Sequence, residues 1–109
     1  MFLEYKKHRI HYTKFGYGPK LLIVFHGFGD KSELFLKLKD GLEEQYTVVA
    51  LDAPFHGETV WKKNIFYPND IRKIIIQLMK DFGYDRISIM AHSMGGLLVM
   101  GVLRYIASF

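Results

Sequence analysis

Leu21-Leu22-Ile23-Val24-Phe25 is an unbroken apolar run that stops abruptly at His26-Gly27-Phe28-Gly29-Asp30. A strand with one wet face alternates apolar and polar residues, so an unbroken run marks a strand buried on both faces. Strands of that kind belong to parallel sheets covered by helices above and below, which narrows the fold more than any other feature of the sequence. The pattern recurs. Thr47-Val48-Val49-Ala50-Leu51 runs into Asp52-Ala53-Pro54-Phe55-His56-Gly57, where Pro54 and Gly57 forbid regular structure. Arg86-Ile87-Ser88-Ile89-Met90 reads as a third buried strand, and it leads into Ala91-His92-Ser93-Met94-Gly95.

The segments between these strands carry helical periodicity. Asp30 followed by Glu33 has the spacing of a capping box, and Leu34, Leu38 and Leu42 repeat at helical intervals, predicting an amphipathic helix to about Glu44. Asn69 or Asp70 is expected to cap a second helix that carries Ile71, Ile74, Ile75, Leu78 and Phe82 on one face and ends at Gly83. Met94 to Leu103 reads as a third helix, apolar nearly all round and therefore deeply buried. Met1 to Tyr5 and Arg9 to Thr13 are β-compatible runs around Lys6-Lys7-His8, which predicts an N-terminal hairpin or two edge strands. The connection from Glu58 to Pro68 has no assignable pattern. Alternation of strand and helix with right-handed crossovers defines an α/β fold, a mainly parallel sheet with helices on both faces.

Composition removes several function classes. A chain of 109 residues, half of them hydrophobic, buries one core and so makes one domain or part of one. The absence of cysteine excludes disulfides and cysteine-ligated metals, and the charged start Met-Phe-Leu-Glu-Tyr-Lys-Lys-His-Arg does not suit a secretory signal. No run reaches the roughly 18 apolar residues of a membrane span, so a cytoplasmic protein without a membrane span is expected. The net charge of +4 comes from lysines and arginines scattered among acids, with no basic stripe interleaved with stacking aromatics; nucleic acid is not an expected partner.

Chemistry concentrates where the strands end. Ala91-His92-Ser93-Met94-Gly95 has the form small-x-Ser-x-Gly between a strand and a helix. A serine on so sharp a turn sits in strained backbone with its hydroxyl clear of the sheet, and the first amides of the following helix face the place where negative charge would develop. The same five residues also suit a serine that merely caps the helix. His26-Gly27-Phe28-Gly29 could turn the Phe28 amide toward that centre, where it and the Met94 amide would form a two-donor oxyanion hole; alone, it is equally an ordinary glycine-containing turn. Asp52 to Thr59, alone, is a tight loop with little chemistry.

Taken together, His-Gly-Phe-Gly-Asp, Asp-Ala-Pro-x-His-Gly-x-Thr and x-His-Ser-Met-Gly-Gly resemble, in order and separation, the first half of an α/β-hydrolase fold protein of the esterase and lipase-like superfamily. The resemblance covers essentially all 109 residues. It implies Ser93 as nucleophile, Phe28 and Met94 as oxyanion-hole amides and as substrate-binding residues, and no metal or organic cofactor. Two positions depart from the pattern: Ala91 replaces the commoner glycine, and Phe55 stands where the family loop often has glycine.

In this family the triad acid and histidine follow the nucleophile, yet residues 94–109 contain no Asp, Glu or His. The five histidines offer no obvious substitute. His92 is expected to point away from the Ser93 hydroxyl. His26 and His56 read as loop histidines that bond backbone or line the site, and His8 and His11 as surface residues. No histidine pair has helical spacing beside a carboxylate, so no metal site is expected. Residues 1–109 are therefore expected to be the N-terminal part of a single, incomplete α/β-hydrolase domain lacking its C-terminal strands. The parent is expected to be a serine hydrolase acting on a small-molecule ester, thioester or related acyl substrate. The 109 residues alone are expected to be inactive and to self-associate through their uncovered strand edge. The alternative is a non-catalytic ligand-binding or interaction protein that keeps the fold.

Overall fold

A computed structural model describes residues 1–93 together with Gly95 and Gly96. The Met94 amide and the expected helix to Leu103 lie outside the described residues, apart from the two glycines, which are helical. Strands β1 (Phe2–Tyr5) and β2 (His8–Phe15) form the N-terminal hairpin, with Tyr5 opposite His8 across the Lys6-Lys7 turn. Strands β3 (Lys20–Phe25), β4 (Tyr46–Leu51) and β5 (Ser88–Ala91) complete a sheet of order β1-β2-β4-β3-β5. β3 is parallel to both β4 and β5, whereas β2 is antiparallel to its neighbours. The sequence expectation of a mainly parallel α/β sheet is met in the part that carries the three motifs.

The unbroken apolar run of β3 is explained by what lies on each face. Leu21, Ile23 and Phe25 pack with Val49 and Leu51 under Ile71, Ile74, Ile75 and Leu78 of α2 (Pro68–Phe82). Leu22 and Val24 point the other way, joining Phe15, Val48 and Ala50 against Phe35. Burying each of the four α2 side chains contributes about 1.5–3 kcal/mol, which is why this helix faces the sheet with those residues. Pro68 opens α2 and Gly83 ends it in a left-handed conformation. The N-cap is Tyr67, not Asn69 or Asp70; Asp70 lies one turn inside, and its carboxylate accepts the Tyr67 N–H at 2.9 Å. The same carboxylate accepts the Tyr5 hydroxyl at 2.8 Å, tying the hairpin to the start of α2.

Several expectations are corrected. In place of one amphipathic α-helix from Asp30 to Glu44, the backbone forms a 3₁₀ helix (Ser32–Leu38) followed by a single α-turn, α1 (Lys39–Leu42). The N-cap is Lys31, without a side-chain cap bond, and Asp30 lies before it in a turn, its N–H donating to the Gly27 carbonyl. Asp52 instead accepts the Ser32 N–H at 2.6 Å, and the Ser32 hydroxyl meets Thr13 Oγ1 at 2.8 Å. Winding at three residues per turn then stacks Phe35 beside Ser32, and these two are buried while Leu34 and Leu38 are left exposed. β5 is only half-buried, because among the described strands it has a single neighbour. His8 and His11 are buried rather than superficial. The ring of His8 stacks 3.7 Å from that of Trp61, in the connection that has no assignable sequence pattern, and its Nδ1 accepts the Lys62 N–H at 2.9 Å. Burial, with Lys63, Lys6 and Lys62 nearby, holds His8 below the ordinary histidine range despite the opposing charge of Asp70.

Candidate active site

Register decides where the motifs meet. Phe25 is paired laterally with Leu51 on one side and Ala91 on the other, so His26, Asp52 and His92 emerge side by side from one edge of the sheet. The His92 N–H continues the ladder by donating to the Phe25 carbonyl at 3.0 Å. Crevices at the carboxyl ends of parallel strands are where open α/β sheets bind ligands, and three loops crowd into this one.

Asp52 organises two of those loops. Its side chain is buried and accepts the N–H groups of Ser32 and Glu58, the latter at 2.9 Å, while His11 Nδ1 lies 2.8 Å from Oδ2. Burial pushes the carboxyl up, but the Glu58 and Ser32 N–H groups, the Ser32 hydroxyl and His11 outweigh it and hold the group below the usual carboxylate range. Gly57 has φ 52°, and a side chain there would collide with the Asp52 carboxylate. His11 is flanked on its other nitrogen by Glu58 Oε2 at 3.2 Å. Sequence reading missed this cluster, since His11 and Asp52 are distant in the sequence and neither belongs to a local pattern that names the other.

His26 is fully committed to backbone. The Ala53 N–H donates to Nε2 at 3.0 Å, so that nitrogen carries no proton, and Nδ1–H donates to the Gly27 carbonyl at 2.7 Å. The ring therefore clamps the β3 loop to the β4 loop and has no nitrogen free to take a proton. His56 is anchored through one nitrogen only, with Nδ1 3.0 Å from the Pro54 carbonyl. Among the described residues no histidine ring is hydrogen-bonded to Ser93.

Ser93 is exposed and has φ 55°, a left-handed conformation that costs a non-glycine residue about 1 kcal/mol or more. Gly95 lies two residues on, and a Cβ built there would stand 2.6 Å from the Phe25 carbonyl oxygen and 2.8 Å from that of His26. Only glycine lets the helical residues come down onto the end of β3. Gly27 approaches from the other side: its notional Cβ would be 3.2 Å from the Ser93 Cβ and 3.1 Å from His92 Nδ1. The structure thus brings the Phe28 loop against the Ser93 turn, while Met94 lies outside the described residues. The Phe28 ring is 81% exposed, and it borders an open cleft of about 510 Å³ shared with Phe55, His56 and Phe66. Among the described residues no group of side chains has the makings of a metal site.

The protein belongs to the α/β-hydrolase fold family, whose sequence model matches residues 20–104. It is 32% identical over 88 residues to the dihydrolipoyllysine-residue acetyltransferase component of an acetoin cleaving system from Cupriavidus necator, covering 81% of this chain and 24% of that protein. It is 28% identical over 80 residues to a hydrolase of Bacillus subtilis, covering 72% of this chain and 29% of the relative. Its fold superimposes on an epoxide hydrolase from Bacillus megaterium with a TM-score of 0.82 at 21% identity, over 97% of this chain and 38% of that one. Residues 1–109 thus span well under half the length of each of these proteins.

Proposed function

We propose that the parent protein is a serine hydrolase that cleaves a carboxylic ester, thioester or related acyl bond through an acyl-enzyme on Ser93. The observation that carries this reading is the left-handed turn at Ser93, which leaves the residue exposed at the sheet edge with the Gly27-Phe28 loop alongside. In this mechanism the Ser93 hydroxyl attacks the substrate carbonyl as a general base takes its proton. The oxyanion so formed accepts hydrogen bonds from the Phe28 and Met94 amides, the alcohol or thiol leaves with the proton, and water then releases the acid from Ser93. His26 has both ring nitrogens bonded to backbone, and among the described residues no histidine ring is hydrogen-bonded to Ser93, so the base and its acid partner are assigned to the part of the parent protein that follows residue 109, in the family's order.

Residue type favours acyl chemistry over the epoxide opening of one fold neighbour. A serine that opened an epoxide would become an alkyl ether, with no carbonyl for water to attack, and turnover would stop. An acyl ester on Ser93 has that carbonyl. The relative named for acetyl transfer is in keeping with acyl chemistry. The test is labelling of the full-length protein with a fluorophosphonate. Label on Ser93, absent from Ser93→Ala together with at least about a thousandfold of the esterase rate, is the expected result. A folded full-length protein that takes no label would instead be a ligand-binding member of the fold.

A further inference from the structure

Among the described residues three non-glycine positions have positive φ: Lys6 in the hairpin turn, Ser93, and Phe55 at 69°. A bulky residue held there is a true outlier, and such strain collects at functional sites. Among the described residues the core does not require a phenyl ring at this position, because Phe55 is 55% exposed. It borders a cleft that is also lined by Asp30, Pro54, His56, Phe66 and Phe28, the last of which follows the Gly27 that abuts Ser93.

The walls of that cleft are rings in edge-to-face or tilted contact. Phe28 meets His56 at 5.6 Å and 82°, and Phe55 meets Phe66 at 6.2 Å and 49°. Phe66 is backed by Trp61 at 6.2 Å and 81°. A further aromatic ring continues such packing, whereas a saturated ring of the same size satisfies only the area term. Asp30 at the cleft disfavours an anionic guest. We propose that Phe55 is a specificity-determining residue that selects an uncharged aryl group in the substrate, and that its strained backbone is retained for that contact. The proposal rests on the hydrolase reading for the reaction but not for the binding.

Binding and turnover are therefore measured separately in the full-length protein. Calorimetry compares benzyl alcohol with cyclohexylmethanol, and kcat/KM is compared for their acetates, whose leaving groups are of similar acidity. The wild type should favour the aryl member of each pair by about fivefold. Phe55→Leu keeps apolar bulk and strain, Phe55→Gly removes both, and the preference should fall in each. Phe55→Gly should melt roughly 2–4 °C above Phe55→Leu as the strain is released. Aryl binding with no turnover of either ester would sustain this proposal and remove the ester reading. Equal binding of the two alcohols by the wild type, a preference undiminished by both substitutions, or no gain in melting temperature on Phe55→Gly would each overturn it.

Discussion

The proposed mechanism gives Phe28 two roles that substitution can separate, one through its amide and one through its ring. If the proposed mechanism holds, Phe28→Ala in the full-length protein retains most of the rate on a small ester and shifts only substrate preference. Phe28→Pro deletes the N–H, and loss of one oxyanion donor costs roughly 3 kcal/mol, about a hundredfold or more in kcat. Steady-state kinetics of the two variants on one acetate ester checks this, and equal rates would remove Phe28 from the oxyanion site. Ser93 and Phe55 show the same economy of position. Both hold left-handed backbone in the loops that follow strands of the parallel sheet, and among the described residues the core uses neither of their side groups.

The β4 loop owes its shape to Asp52, so its contribution belongs to the element it organises. Asp52→Asn removes a buried charge that accepts two backbone N–H groups and faces His11, and it should destabilise the full-length protein by about 2 kcal/mol at neutral pH. Because the folded-state carboxyl is held below its ordinary range, its contribution is complete above about pH 5 and is lost progressively as the pH falls through the depressed value. Urea midpoints measured from pH 7 downward should fall more steeply in the wild type than in Asp52→Asn. Equal slopes would show that the carboxylate is not the source. The three parallel strands and α2 are legible in the sequence because apolar runs and the Ile71-Ile74-Ile75-Leu78 spacing are local signals of burial. The 3₁₀ segment is not, since Asp52 at the end of a later strand captures Ser32 and resets the winding. Likewise His8 and His11 read as superficial because Trp61 and Asp52, which bury them, are remote in sequence. Ser93 and the Phe28 loop can be read as neighbours from their motifs, whereas the His26 clamp and the strained Phe55 require coordinates.

At the scale of the whole molecule, the described strands end at β5, which is half-buried, and the residues from Leu97 to Leu103 are apolar. Residues 1–109 expressed alone should therefore associate, and should turn over p-nitrophenyl acetate no faster than their Ser93→Ala version. Light scattering and a spectrophotometric assay test the two expectations, and a monomer with Ser93-dependent turnover would contradict both. The strand order also sets a sequence of assembly. Tyr5 and His8 can pair as soon as the hairpin turn forms, and β3 finds β4 across a modest loop. β5 must close a far longer loop to reach β3, a slower event that follows rather than leads. Until it docks, Gly95 has no carbonyls to press against and the serine turn has no scaffold. A polypeptide emerging from synthesis thus builds the platform first and sets the Ser93 turn last.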